Sequence, residues 1–191
     1  EGAILLVTGC SYVGDLGGFA LFGTRLDRHG SKPVLMACLV GWLATLAGWA
    51  LLSGGVLRVH LGYVLALELA MGIGYAVFSM SNTRLAMTVV PLMGRDHFFA
   101  LFSVLSNVTL GVAPIVWGLV IDAFGDQVVP FAGFSLNRFS LFFLLVSLAY
   151  VATALLCRRL DEPKAANVEQ LLRDLLAQTP LRSWMRFWPR G

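Results

Sequence analysis

Two carboxylates set the chemistry open to this chain. Asp15 and Glu68 each stand well inside a long apolar run, the second within LGYVLALELAMGIGYAVF. A charge near the middle of a bilayer costs on the order of 2.5–3.5 kcal/mol on insertion scales, so such a group faces a polar interior, pairs with a neighbour or titrates. Read as a helix, the run around Glu68 places Glu68, Gly72, Tyr75, Ser79 and Asn82 on one face, because their spacings are four, three, four and three residues. Thr8, Ser11, Asp15 and Gly18 form a second such face, and Ser103, Asn107, Gly111, Pro114 and Gly118 a third. Acid, hydroxyl and amide groups on helical faces suit a small solute and a proton that is taken up and released. Glu68, Asp15, Tyr75, Ser79, Asn82 and Asn107 are therefore the candidate substrate or proton pathway. Each also admits a structural role as a satisfied polar contact between helices. Gly14 and Gly18 have the GxxxG spacing that brings helices close.

Other chemistries lack their parts. His29, His60 and His97 have no metal-ligand spacing to one another. Cys10, Cys38 and Cys157 are odd in number and show no CxxC, so free thiols and no metal site are expected. No GxxxxGK[ST] loop is present, and no nucleophile stands with a base. Neither an enzyme nor a bound cofactor is expected. The formal charge of +3 comes without a Lys/Arg stripe interleaved with aromatics, which argues against nucleic acid.

The elements that must carry these residues follow from composition. The chain has 58% hydrophobic and 13% charged residues, against roughly 25% charged in an ordinary soluble domain. An all-α integral membrane protein results. A span needs about 20 largely apolar residues, and five stretches qualify: 3 to 24, 33 to 53, 61 to 83, 98 to 121 and 139 to 157. Turn residues break the chain between them, including Gly30, Pro33, Gly54, Gly55, Pro91 and Pro130. Residues 1–160 thus form a transmembrane domain. Residues 161–191 form an amphipathic tail in which Trp184, Phe187 and Trp188 alternate with Arg182, Arg186 and Arg190, a composition suited to anionic lipid headgroups.

Orientation follows from the basic residues. Arg25, Arg28, Lys32, Arg84, Arg95, Arg158, Arg159 and Lys164 fall on one side, and only Arg58 and Arg138 on the other. The positive-inside bias puts the first group, and the carboxyl end, in the cytoplasm. Glu1 leads straight into an apolar run with neither an initiating Met nor a basic leader, so helices of the same chain are expected upstream.

The segment Gly23-Thr24-Arg25-Leu26-Asp27-Arg28-His29-Gly30-Ser31-Lys32 resembles the loop signature of the major facilitator superfamily, G-x-L-x-D-R-x-G-R/K-R/K. Gly23, Asp27, Arg28, Gly30 and Lys32 match it. Arg25 stands where an apolar residue is usual, and Ser31 where a basic one is. On physical grounds Gly23 would allow close helix approach, Gly30 a tight turn, and Asp27 with Arg28 would pair with helix ends. Pro91-Leu92-Met93-Gly94-Arg95, with Phe99-Ala100-Leu101 and then Gly111, Pro114, Gly118 and Asp122, is similar to a later loop and helix of that family.

The resemblance implies a partial six-helix half-bundle. Twelve-span members rock two halves about a central site, and five spans ending inside match their eighth to twelfth helices, with the second to sixth as the competing register. It also implies secondary active transport of a small solute by alternating access, with a proton as coupling ion, in a multi-pass permease of the plasma membrane. Arg84, Arg95, Gly111, Pro114 and Gly118 are the gating or bending candidates, since Pro114 interrupts a helix. The expected partners are a small-molecule solute, membrane lipids and the upstream helices. A non-transporting sensor or assembly subunit acting through the tail is the alternative. Sugars, cationic amphiphiles and organic metabolites all stay open as solutes.

Overall fold

A computed structural model of the protein describes residues 2–90, 94–131 and 133–159. Five helices carry the described residues: α1 (Gly2–His29), α2 (Ser31–Ser53), α3 (Leu61–Val89), α4 (Arg95–Phe124) and α5 (Arg138–Arg158). All five are long and apolar enough to cross a membrane. The tail at 161–191 and the loop at Pro91 to Met93 lie outside the described residues.

Each helix runs past its apolar span, because charge ends a span without ending a helix. The expected loop between the first two spans shrinks to Gly30 alone, whose φ of 86° turns the chain in the left-handed half of φ space. Gly23, Asp27 and Arg28 therefore lie in the last turns of α1, and the side chains of Asp27 and Arg28 are outside the described part. A Cβ at Gly23 would meet nothing within 4 Å. The close approach expected there falls elsewhere on α1, at Gly14 and Gly18. Pro33 sits in the first turn of α2, where its missing N–H costs no helical bond.

The helices pack in the order α1, α3, α2, α5, α4. α2 is central. Its Val34, Cys38 and Trp42 pack with Leu26 and Val77, while Leu35 and Leu39 pack with Leu85 and Cys157. Lipid tails are as apolar as these side chains, so the close fit comes from van der Waals contact and hydrogen bonds rather than escape from water. α4 has no buried residue and reaches the rest through α5, with Trp117 edge-on to Phe142 at 5.2 Å.

One feature departs from an all-helical reading of the connections. β1 (Val129–Phe131) pairs antiparallel with β2 (Phe134–Leu136), Pro130 facing Ser135. Ser135 N donates to Gly54 O at 2.8 Å, which seats the hairpin on the end of α2. Asn137 then caps α5 by accepting from Phe139 N and Ser140 N at 3.0 and 2.9 Å, while its own N–H donates to Ser140 Oγ at 2.9 Å.

Candidate functional site

The α1–α3 contact decides where the two carboxylates stand. A Cβ on Gly14 would run into Leu69 O, and one on Gly72 into Ser11 O. A Cβ on Gly18 would come within 2.7 Å of Ala76 Cβ and 2.8 Å of Ile73 O. Absent side chains thus bring the two backbones together along several turns. Gly72, on the polar face of α3, is consumed by this contact. Asp15 is caught in the same seam, and its Oδ1 is buried without a hydrogen-bond partner among the described residues.

Beyond the seam the helices leave a recess of about 560 Å³. α3 supplies Glu68, Met71, Tyr75 and Phe78, and α1 supplies Ser11. Leu39 and Trp42 come from α2, and Tyr150 and Thr153 from α5. The helix turn explains the α3 set: Glu68, Met71, Tyr75 and Phe78 are three, four and three residues apart. The aromatic end is ordered by ring contacts. Trp42 lies 5.3 Å from Phe78 and meets Tyr150 edge-on at 5.1 Å. Trp42 Nε1 abuts Gly74 and has no hydrogen-bond acceptor among the described residues. Cys38 Sγ, one turn before Trp42, donates to Gly74 O at 3.1 Å.

Of the candidate pathway residues, the recess gathers Glu68 and Tyr75. Asp15 is in the α1–α3 seam, Ser79 is exposed on α3, and Asn82 is partly buried farther along it. Asn107 is exposed on α4, where its Nδ2 donates to Ser103 O at 2.8 Å. It does not join the others. Gly111 and Gly118 have open space where a Cβ would sit, and α4 continues through Pro114. Arg95 donates through Nη2 to Met87 O at 2.8 Å and Val90 O at 3.2 Å, closing the carbonyl end of α3 across the loop. Arg84 lies within α3, a little more than a turn before its end. Lys32 Nζ donates to Arg158 O at 3.1 Å, the carbonyl end of α5.

The aromatic residues Trp42, Phe78 and Tyr150 were not among the sequence candidates, for on apolar helices a ring reads as packing. The helical step from Glu68 through Met71 and Tyr75 to Phe78 was the available signal. Among the described residues no three His, Cys, Asp or Glu side chains group as a metal set.

A family model described as Major Facilitator Superfamily matches residues 1–191. No curated protein and no solved structure matches the chain.

Proposed function

From the premise that this chain belongs to the major facilitator superfamily, as its match over residues 1–191 shows, we propose that it is the five-helix part of a proton-coupled permease. Membership makes it a multi-pass integral membrane protein of a transporter family. The finer reading rests on one observation: Glu68, an acid inside an apolar helix, opens into a recess shared by four helices. An acid so placed binds a proton or a solute charge on one side of the membrane and releases it on the other as the surroundings change.

In this reading the helices are the eighth to twelfth of the permease, which moves a small solute by alternating access. The protein sits in the plasma membrane with its carboxyl end in the cytoplasm, and Gly30 is the turn of the conformational loop. Two measurements test it. The native protein, captured from its own membranes through residues 161–191, should carry roughly 20 kDa or more of further chain, enough for about seven more spans. A native mass near 20.7 kDa would overturn the permease reading. The intact protein in proteoliposomes should show saturable, pH-driven uptake from a solute panel, and this chain alone should show none. Glu68→Gln should abolish the pH drive. Unchanged pH-driven uptake in that variant would remove Glu68 from the proton route.

A further inference from the structure

The recess is polarised along its length. Glu68 stands toward one end, and its carboxylate makes no hydrogen bond or ion pair with any described residue. Trp42, Phe78 and Tyr150 cluster at the other end. Between them Tyr75 is 64% exposed and has no ring partner among the described residues, so its faces are open. Seven residues of helix separate Tyr75 from Glu68, about 10 Å along the axis and only about 20° around it. Met71 lines the stretch between.

We propose that this recess binds an amphipathic organic cation, with the charged head at Glu68 and a flat apolar body lying over Met71 against Tyr75 and the Trp42–Phe78–Tyr150 cluster. No Lys, Arg or His lines the recess, so an anion would meet only the acid's repulsion. The hydroxyls of Ser11, Thr153 and the two tyrosines are too few to replace the hydration of a sugar. A cation supplies the counter-charge that an intramembrane carboxylate requires and that no described residue provides. Aromatic faces favour cations and flat bodies alike. The volume of about 560 Å³ falls within the range of roughly 300–1,000 Å³ usual for small-molecule pockets.

The inference names the solute class of the site proposed above and depends on that reading for its role in transport, not for binding. The test is binding to the intact native protein in nanodiscs, using phenylalkyl-trimethylammonium ions of increasing chain length. Controls are the neutral tert-butyl isosteres and the sulfonates of equal length. Affinity should peak when ring and nitrogen are about 10 Å apart, the Glu68–Tyr75 rise. The isostere and the sulfonate should bind about tenfold more weakly or worse, as for loss of one charge pair. Glu68→Gln should remove this preference and Glu68→Asp should keep it. Tyr75→Ala should cost about threefold, in line with the loss of one aromatic–aromatic contact, and Tyr75→Phe very little. The isostere comparison uses the unaltered protein, so an unstable variant does not spoil it. Equal binding of cation and isostere, or a preference that survives Glu68→Gln, overturns the proposal. Saturable uptake of another solute, unaffected by these cations, overturns it while the permease reading stands. Cation binding without any vesicle uptake leaves the recess assignment and removes the permease reading.

Discussion

Two seams of the bundle are built on opposite plans. α1 and α3 meet through what is missing: Gly14, Gly18 and Gly72 let main chain touch main chain over several turns. α2 and α5 meet through large side chains, with Tyr150 on Trp42 and Phe143 stacked on Trp49 at 5.8 Å. That second pair is also tied at both ends, by Lys32 to Arg158 O and by Asn137 Nδ2 to Ser53 O at 2.6 Å. A seam of backbone contact tolerates no added atom anywhere along its length. A seam of rings with ties at its ends concentrates its specificity in a few polar groups. The recess lies where the two plans diverge, with Ser11 from the first and Trp42, Tyr150 and Thr153 from the second.

The sharpest way to break the contrast is to add one methyl group to the first seam. Alanine favours a helix over glycine by up to about 1 kcal/mol, so propensity alone would make Gly72→Ala stabilising. A Cβ there meets the carbonyl oxygen of Ser11, which belongs to a helix backbone and cannot swing aside. The net expectation is a loss of about 2–3 kcal/mol, the upper part of the range for overpacking. Gly17→Ala on α1, where a Cβ meets nothing within 4 Å, should be neutral or stabilising by up to about 1 kcal/mol. Equilibrium unfolding of both variants in detergent checks the pair. Equal stability would mean that backbone contact is not what joins α1 to α3.

Asn137 tests the tied plan, with a smaller effect. Its side-chain oxygen caps α5 while its Nδ2 donates across to α2. Asn137→Ala removes both and should cost about 1–2 kcal/mol. Asn137→Asp keeps the acceptor and loses the donor, so it should fall between, at about 1 kcal/mol. Hydrogen exchange separates the roles. The amides of Phe139 and Ser140 should quicken in the alanine variant and stay protected in the aspartate variant. Equal protection in all three proteins would show that the cap does not hold the start of α5.

These differences mark what could be read from residues alone. The five helices follow from apolar length, which depends on nothing distant. The hairpin escapes because three-residue strands are too short for alternation to register, and Pro130 reads as a plain breaker. The spacing of Glu68 and Tyr75 placed them on one face, and the recess uses that face. The same reasoning put Asn107 on a comparable stripe of α4, but a stripe does not say where its helix packs. α4 touches the bundle at its edge. Gly23 and Gly72 illustrate the same limit: both are glycines on helices, and only the neighbouring helix decides that Gly72 is the tight one. Trp42 and Tyr150 join the recess through tertiary packing, which leaves no trace in local spacing.

Lys32 gives the smallest and most discriminating test. It occupies the last basic position of the segment that resembles the family's loop signature, and its Nζ closes the carbonyl end of α5. A cation at a helix carboxyl end contributes roughly 0.3–1 kcal/mol at an exposed site, so Lys32→Met should cost about 0.5 kcal/mol. Salt should narrow the difference between variant and parent, because near 1 M the screening length falls to about 3 Å. Double-mutant comparison with Asn137→Asp then asks whether the two ties act independently. Their positions at opposite ends of α2 predict additivity within about 0.5 kcal/mol. A larger coupling would mean that α2 and α5 shift as one rigid pair, so that loosening either end loosens both. A Lys32→Met cost as large as that of Gly72→Ala would reverse the contrast between the seams and make the loop, rather than the glycine contact, the feature that holds the helices in register.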